Sequence, residues 1–327
     1  MSPDPTSGSS GAVFHCGHFV DQRHAAYTPA AHEVWREVLA RNAALIAQYG
    51  ARMHPAYAKG MQDLALPNRV PRIEELNERL TATGWRTVCV DGYIPSSAYV
   101  GLMSESIFPI SRTVRRAEHI DFAPEPDLVH DVLGHLPMLF CADYRAYLQR
   151  LATVMSGADS NGLDDEFFAT VRSLAATRSR TGSLPCEIEE ADARMQQVIR
   201  RIRENTSELT HLRRLYVWSV EFGLLGSSDN FSIHGAALLS SPAEFRTVCA
   251  GTPTLRLFGM DVIDRENAFS DVLNQYFVAR DFAHLEEVLS SYEQRMLQHR
   301  ARSCASEIRE LVPATGEGRT SYDRADT

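Results

Sequence analysis

The most constraining feature of this chain is a pair of histidines, followed far along the sequence by a glutamate in an apolar run. Residues 124–135 read PEPDLVHDVLGH, which places His130 and His135 five positions apart. Glu221 lies in the run YVWSVEFGLLG. Two imidazoles and one carboxylate form a ligand set that binds iron(II) on one face and leaves coordination positions open.

The two histidines would not share a face on a regular α-helix. At 3.6 residues per turn, His130 and His135 lie about 140° apart, so an uninterrupted helix could not direct both rings at one ion. Gly134 precedes the second histidine, and we expect the backbone to bend or close a turn there. The zincin pattern differs, because its histidines lie four apart. Taken alone, such a pair is more often polar structure at a helix end than a metal site.

Glu221 is flanked by apolar residues on every side, which predicts a helix buried all round. An unpaired buried carboxylate costs several kcal/mol, so the group must pair with a cation, bind a metal or become neutral. A buried ion pair with Arg213 or Arg214 is the competing interpretation of the glutamate alone. Together with the two histidines, the metal interpretation is favoured.

Five short segments in a fixed order carry a resemblance to a known family. They are DGYIP at 91–95, FP at 108–109, the PEPD to GHLP block at 124–137, VEFGL at 220–224 and HGAALLSS at 234–241. The chain resembles the pterin-dependent aromatic amino acid hydroxylases, which include phenylalanine, tyrosine and tryptophan hydroxylases and their bacterial relatives. Weaker similarity runs from about residue 18 to about 296, and the PEPD to GH block is highly specific.

The resemblance implies a mostly α fold with a few short strands and the architecture of the hydroxylase catalytic domain. That domain is expected over 18–305, between a disordered tail at 1–17 and a flexible tail at 306–327. Residue patterning predicts a short strand at TVCV before Gly92 and helices at about 30–49, 73–83, 142–156, 164–177, 186–225, 265–280 and 282–300.

The chain is longer between the histidine block and Glu221 than the compact bacterial phenylalanine hydroxylases. It resembles a second bacterial subgroup that carries an inserted helical hairpin, here at about 160–210. We expect this insert to be scaffold, with a lid or an interface as alternatives. The acidic pair Asp164 and Asp165 within it is predicted to lie on a solvated helix face.

The resemblance also assigns single residues near the reaction centre. The iron ligands fall on His130, His135 and Glu221, and Tyr216 matches a tyrosine beside the iron. Arg115 matches an arginine that grips the carboxylate of the substrate, for which its planar fork is suited. The competing interpretation of Arg115, from sequence alone, is a surface arginine.

Further positions of the family's pattern fall on the two sides of the same site. The other substrate-side residues are Pro126, Val217, Phe222, Ala237, Ser240 and Ser241. The pterin-side residues are Gly92, Tyr93, Ile94, Ser96 and Tyr99. Tyr99 stands where the family places an aromatic ring that stacks on the pterin.

The implied activity is monooxygenation of the ring of a free aromatic amino acid, with iron(II), a tetrahydropterin such as tetrahydrobiopterin, and dioxygen as co-substrate. Phenylalanine is the first expected substrate. Val217, Ala123 and Ala237 stand where phenylalanine and tyrosine hydroxylases usually have tryptophan, threonine and glycine. A tryptophan hydroxylase, or a phenylalanine 3-hydroxylase of a secondary-metabolite pathway, is therefore the alternative. The non-enzyme alternative is an inactive relative that binds the metal or the amino acid.

Composition agrees with an enzyme that acts on a small molecule. A net charge of −9 without a sustained basic run argues against nucleic-acid and anionic-membrane partners,. No apolar stretch reaches the ~20 residues of a membrane span, and the first residues lack the pattern of a signal peptide. The six cysteines show no C-x-x-C pair, which disfavours a zinc or redox site,. We expect a cytoplasmic monomer or small homo-oligomer.

Overall fold

Helices dominate the part of the chain that the structure describes. In a computed structural model, which describes residues 18–123, 125–266 and 273–311, these ranges form eleven α-helices and six short strands. The predicted mostly α fold with a few strands is therefore confirmed. The predicted tail at 1–17 and the segment 312–327 lie outside the described residues.

The elements are named here in chain order. The helices are α1 Pro29–Tyr49, α2 Pro55–Leu64, α3 Ile73–Leu80, α4 Ser96–Ser104, α5 Ala142–Ser156, α6 Gly162–Ser179, α7 Pro185–Glu204, α8 Glu208–Tyr216, α9 Ala236–Ser240, α10 Pro242–Cys249 and α11 Phe282–Leu311. The strands are β1 Arg86–Val90, β2 Ile107–Ser111, β3 Leu224–Gly226, β4 Phe231–Ile233, β5 Thr254–Leu257 and β6 Gln275–Ala279.

The six strands form two small sheets, and β2 and most of β6 are buried. β1 and β2 pair in parallel, with α4 as the connection between them. The second sheet has the order β4-β3-β6-β5, in which β3 and β4 are antiparallel and the other pairs are parallel. One strand of each sheet adjoins a predicted site segment: β1 leads into Gly92, and β3 follows Glu221.

The histidine segment lies in the centre of the main apolar core. All residues of His130–His135 are buried. A chain of buried hydrogen bonds supports this segment from behind: Asn42 donates to the Tyr57 hydroxyl at 2.8 Å, and that hydroxyl donates to the backbone oxygen of Leu133 at 2.9 Å. Leaving such a buried backbone oxygen unpaired would cost about 1–3 kcal/mol. The scaffold thus fixes the segment before any ligand binds.

α6 and α7 form an antiparallel hairpin with a hydrophobic core of its own. That core is separate from the main one and consists of Phe167, Leu174, Ala191, Met195, Val198 and Ile202. The hairpin coincides with the predicted insert at about 160–210. α6 begins with a capping box at Asn161, and at the start of α7 the Leu184 backbone N–H donates to Glu187 at 2.8 Å. An ion pair between Arg178 and Asp192 links the two helices.

Most predicted helices are confirmed, whereas three predictions near the site are wrong. The described part of 265–280 contains no helix, and 275–279 is strand β6. The long helix expected at 186–225 is instead α7, α8, a π-helical turn and β3. Of the acidic pair expected on a solvated face, Asp165 is exposed as predicted, but Asp164 is buried, because it caps α6 and accepts from Ser207 and Thr210.

Two boundary findings complete the fold. α3 ends in a short 3-10 turn at Thr81–Thr83, and Gly84 follows with φ 75°, as the sequence predicts,. α11 continues to Leu311, so the first residues of the segment expected to be a tail are helical. Among the helices that the structure describes, none is long and apolar enough to cross a membrane.

Candidate metal centre and cavity

Three side chains from distant parts of the sequence meet in the core. His130 Nε2 lies 3.3 Å from Glu221 Oε2, and His135 Nε2 lies 3.3 Å from Glu221 Oε1. The two Nε2 atoms are themselves 3.3 Å apart. One ligand atom from each residue falls within 4.8 Å of the others, so the three groups could hold one metal ion.

The five-residue spacing of the histidines is accommodated by a π-helical backbone over His130–His135. Hydrogen bonds in a π-helix join residues five apart, so residues at this spacing stack on one side. Of the two alternatives expected at Gly134, a bend or a closed turn, the structure shows the turn, and it is π-helical. Gly134 has another function in packing, since a Cβ there would lie 2.5 Å from the backbone oxygen of Ala236 on α9.

A second π-helical turn presents the carboxylate. Residues Val217–Glu221 continue α8 in this form, and Phe222 N donates to Val217 O, five residues back, at 2.9 Å. The buried helix predicted around Glu221 therefore ends at that residue, and the chain turns at Gly223 into β3. π-helical turns are rare and occur often at functional sites. Both ligand-bearing segments use one.

Each histidine is oriented by a hydrogen bond at the ring nitrogen opposite the carboxylate. His130 Nδ1 lies 2.9 Å from Ser240 Oγ, and the Ser240 hydroxyl donates to the backbone oxygen of Ala236 at 2.7 Å. Because that proton is already used, Ser240 must accept from His130, which assigns a lone pair to His130 Nε2. His135 Nδ1 lies 3.2 Å from the Tyr144 hydroxyl, and coordination through His135 Nε2 requires that Nδ1 donate to this hydroxyl,. Both Nε2 atoms can then coordinate a metal.

The local electrostatics favour the charge state that a metal needs at Glu221 and at His135. Burial raises the pKa of Glu221, but the neighbouring His135 and His130 lower it more, so the net pKa lies below its usual value and the carboxylate is ionised,. Burial lowers the pKa of His135, which keeps that ring neutral near neutral pH. Burial lowers the pKa of His130, but Glu221, with the nearby Asp131, raises it more, so this ring would release a proton when a cation binds,. A cation fits this arrangement, and two nitrogens with one carboxylate are typical of iron(II).

Arg115 is buried, and its charge is paired inside the protein. Asp127 accepts from Arg115 Nη2 at 2.8 Å, from Nε at 3.1 Å and from its backbone N–H at 2.7 Å. The same carboxylate accepts from the backbone N–H of His130 at 2.9 Å. Arg115 Nη1 donates to the backbone oxygen of Ser240 at 3.2 Å. The interpretation of Arg115 as a surface arginine is therefore wrong.

The residues predicted on the pterin side follow β1. Gly92 has φ 65°, a conformation that glycine adopts without strain,. The Tyr99 hydroxyl lies 2.9 Å from the Tyr216 hydroxyl, and the two rings meet edge to face. Burial raises the pKa of both hydroxyls well above the usual value, so both stay protonated. The remaining predicted residues of this loop are Tyr93, Ile94 and Ser96.

One cavity of about 350 Å³ joins these groups. Every site residue predicted from the sequence lines it except His135, which is almost completely buried. The substrate-side residues in its wall are Arg115, Pro126, Val217, Phe222, Ala237, Ser240 and Ser241. The positions that depart from the usual pattern of the family, Ala123, Val217 and Ala237, are all part of this wall.

The wall also contains residues that the sequence did not single out. Asp131 and Glu244 are buried carboxyl groups, and burial raises the pKa of each to about 7. Asp131 directly follows His130, so it could have been found from the motif. Asp127, which accepts from the His130 backbone and does not line the wall, lies in the same motif and could also have been found. Tyr144, which contacts His135, could not, because nothing in the sequence of α5 marks it. The largest unexpected contribution comes from α6 of the hairpin, through Phe167, Phe168, Val171, Leu174, Ala175 and Arg178.

The overall fold is similar to that of a solved bacterial enzyme. Phenylalanine hydroxylase from Chromobacterium violaceum superposes with a TM-score of 0.66 and 23% sequence identity, covering 91% of this chain and 94% of that chain. That crystal structure has bound iron(III) and the oxidised cofactor 7,8-dihydrobiopterin. The catalytic-domain architecture expected from the sequence is thereby confirmed.

Sequence comparison leads to the same group of proteins. The chain is 27% identical over 262 residues to the phenylalanine-4-hydroxylase of Pseudomonas aeruginosa, covering 79% of this chain and 81% of that protein. It is 26% identical over 274 residues to the phenylalanine-4-hydroxylase of Caulobacter vibrioides, covering 82% and 76%. A family model described as biopterin-dependent aromatic amino acid hydroxylase matches residues 11–172 and 187–304. Since these ranges span most of the chain, it belongs to that family and is a pterin-dependent aromatic amino acid monooxygenase.

Proposed function

We propose that the protein hydroxylates the ring of free phenylalanine with iron(II), dioxygen and a tetrahydropterin. The observation that carries this proposal is the convergence of His130, His135 and Glu221, two of which, His130 and Glu221, line a cavity of about 350 Å³. That volume lies in the range of small-molecule sites. The similar phenylalanine-4-hydroxylases support phenylalanine as the substrate, as does an iron- and phenylalanine-bound structure of the Chromobacterium violaceum enzyme.

The three proposed ligands would hold iron on one face and leave the cavity side free. When bound, iron(II) and the tetrahydropterin supply the electrons and the dioxygen activation that ring hydroxylation requires. The chain orients the two imidazoles through the Ser240 and Tyr144 hydroxyls. A mostly apolar wall excludes water from the reacting groups, which protects a reactive oxidant from side reactions.

Arg115 is the proposed anchor for the carboxylate of the substrate. Asp127 and the backbone oxygen of Ser240 hold its guanidinium in one orientation, so little freedom is lost when an amino acid binds,. A guanidinium also presents a planar pair of donors to a carboxylate. The proposed contacts for the rest of the amino acid are Pro126, Val217, Phe222, Ala237, Ser240 and Ser241.

The pterin is proposed to bind along the loop after β1, on the face that carries Tyr99. Gly92, Tyr93, Ile94 and Ser96 would form the backbone and side-chain contacts of that loop. We assign Tyr216 to the place where this face meets the metal centre, because its hydroxyl bonds to Tyr99 and its helix leads directly to Glu221. Its high pKa keeps the proton on this hydroxyl, so it acts as a hydrogen-bond donor in the site.

Val217 supports a second candidate, which differs in the ring that is attacked. This half-buried valine lines the cavity, and a larger side chain there would reduce the space next to Glu221. The added space would admit the indole of tryptophan, or allow a phenyl ring to shift so that its third carbon is hydroxylated. Both reactions use the same proposed ligands and cofactors.

The test is anaerobic loading with iron(II), followed by oxygen, tetrahydropterin and either phenylalanine, tyrosine or tryptophan. Mass spectrometry detects the added oxygen, and chromatography against 3-hydroxy and 4-hydroxy standards identifies the ring carbon. We expect hydroxylated phenylalanine, and its loss in His130→Ala and Glu221→Ala. Hydroxylated tryptophan alone would replace the first candidate by the second. An absence of any pterin- and amino-acid-dependent oxygen uptake would contradict the proposed function.

A further inference from the structure

The α6–α7 hairpin contains the internal stretch that the family model does not match. The family model leaves residues 173–186 unmatched, which cover the end of α6 and the turn into α7. The hairpin also has its own hydrophobic core, so its shape does not depend on the packing of the main domain. The hairpin nevertheless lies next to the proposed reaction centre, because residues of α6 line the same cavity as His130 and Glu221.

One face of α6 forms a wall of the cavity that contains the proposed metal ligands. The residues of this face recur at intervals of three and four, which places them on one side of a helix. They are mostly apolar, and they are Phe167, Phe168, Val171, Leu174, Ala175 and Arg178. Met195 of α7 adds to the same wall. His130 and Glu221 border the same space, so whatever binds beside the metal also faces the hairpin.

The base of the hairpin is fixed to α8, the helix that ends at the metal centre. Asp164 accepts from the hydroxyls of Thr210 at 2.7 Å and Ser207 at 3.0 Å, at the start of α8. One turn further on, the Arg213 guanidinium lies over the ring of Phe167 at 3.7 Å from its centroid. A half-buried cation over an aromatic face is stabilising,. These contacts fix α6 relative to the turn that carries Glu221.

The tip of the hairpin reaches the opposite side of the cavity. The Ser179 hydroxyl donates to the carboxylate of Glu125, and Arg116 Nη1 donates to Thr181 Oγ1 at 3.0 Å. Glu125 and Arg116 are neighbours of the proposed substrate contacts Pro126 and Arg115. The hairpin therefore spans the cavity from α8 to the segment that would hold the amino acid backbone.

The space next to Val217 is bordered by the hairpin. Val217 lines the main cavity, and with Phe167 and Arg213 it also lines a second cavity of about 50 Å³. Phenylalanine and tyrosine hydroxylases usually carry a large indole at the position of Val217. In this chain the apolar face of α6 lines the same cavity as Val217, so it can limit the size of a ring there.

We propose that the α6–α7 hairpin is the specificity-determining wall of this enzyme, with Phe168 and Val171 contacting the ring of the substrate. The proposal rests on the proposed function and deepens it. The ring lies between Val217 on one side and these two side chains on the other. The wall sets the largest ring that fits and holds the ring in place for attack, while closing this side of the cavity to water.

The test compares two valine-to-alanine changes in the same hairpin. Val171→Ala enlarges the cavity, whereas Val198→Ala removes the same atoms from the hairpin core, where Val198 does not line the cavity. Phe168→Ala is a stronger version of the first change. Each holoenzyme is assayed for kcat/KM with phenylalanine and tryptophan, and for the amount of product formed per tetrahydropterin oxidised. Isothermal titration of both amino acids into the iron-loaded protein without pterin gives the binding ratio.

We expect Phe168→Ala to raise the tryptophan-to-phenylalanine ratio of kcat/KM at least about tenfold, since one or more methylenes of pocket volume change discrimination by about 10–200-fold. Val171→Ala should shift it in the same direction, with less product per pterin oxidised, and Val198→Ala should leave both quantities at the wild-type level. A ratio that stays or falls in Phe168→Ala and Val171→Ala, or an equal shift in Val198→Ala, overturns the proposal. If the wild type hydroxylates no aromatic amino acid, the proposed function fails, and the binding ratios still test the wall.

Discussion

Replacing Asp127 by asparagine would test whether the Arg115 charge depends on its buried partner. The carboxylate accepts four groups: two from the guanidinium, the backbone N–H of Arg115 and the backbone N–H of His130. Both side chains of the pair are 3% exposed. The asparagine keeps the size of the side chain and removes its charge. The guanidinium is then buried without a counter-ion.

Leaving one member of a buried ion pair unpaired costs about 3–5 kcal/mol. An exposed pair with the same bidentate geometry provides the control. Arg112 donates to Asp91 at 2.9 Å and 2.8 Å, but these side chains are 30% and 52% exposed. Solvent screens such a pair, so Asp91→Asn should cost about 0–1 kcal/mol. The difference between the two variants isolates the effect of burial.

Urea unfolding of the metal-free protein at pH 7, followed by circular dichroism, measures both changes. At a slope of roughly 3 kcal/mol per M, Asp127→Asn should lower the unfolding midpoint by about 1 M or more. Asp91→Asn should lower it by about 0.3 M or less. Equal midpoints for the two variants would refute the reasoning, because burial would then add nothing to the cost.

Three further changes address the ligand geometry and the fold. Ser240→Ala removes the acceptor that fixes the tautomer of His130, so iron affinity in a chelator competition should fall about 10–100-fold,. Gly134→Ala places a Cβ 2.5 Å from a backbone oxygen of α9, which should cost about 1–3 kcal/mol or more in thermal unfolding,. A hydrogen bond from Arg69 lowers the pKa of Glu75 to about 2, so this carboxylate stabilises the fold above pH ~4.5 and the contribution is lost as the pH falls toward 2,. Because the pair is more than a third exposed, Glu75→Gln should cost under about 1 kcal/mol at pH 7 and nothing near pH 2,.

Each of these expectations has a distinct failure. Wild-type iron affinity in Ser240→Ala would mean that the serine does not orient the ring. A Gly134→Ala protein as stable as the wild type would show that α9 can move away at no cost. For Glu75→Gln, a deficit in unfolding free energy that persists undiminished at low pH would rule out the ion pair as its source.

The three candidate metal ligands could be predicted from the sequence because their chemistry is rare. A glutamate in an apolar run and two histidines near a glycine have few uses in a folded core. The backbone that aligns them could not be predicted, since the residues of a π-helical turn are ordinary helix formers. The sequence predicts a bend or a turn at Gly134 but not its π-helical form, nor the close packing of this glycine on α9.

Two other predictions from the sequence, a helix at 275–279 and a solvated Asp164, are wrong for clear physical reasons. The run QYFVA at 275–279 was expected to continue a helix, but its residues are apolar on both faces and form a strand between β3 and β5. Asp164 was expected on a solvated face because acidic pairs usually are, yet its neighbours in space lie more than forty positions away. The contribution of α6 to the cavity was missed for a related reason. An apolar stripe predicts that a helix face is shielded from water. It does not show whether that face packs on the core or lines a cavity, as the face of α6 does.

The π-helical turn at His130–His135 has a consequence for how this chain could have arisen. Such a turn holds one residue more than an α-helical turn. Deleting one residue between the histidines would leave them four apart, still on one face of an ordinary helix. The deletion would instead rotate every residue after it by about 100° about the helix axis. The backbone oxygen of Pro137 packs so tightly on α2 that a Cβ on Gly60 would lie 2.0 Å from it. The extra residue is therefore needed for the packing of Pro137 on α2 as well as for the alignment of the histidines. We expect a deletion in this turn to disrupt that packing even where the two histidines still share a face.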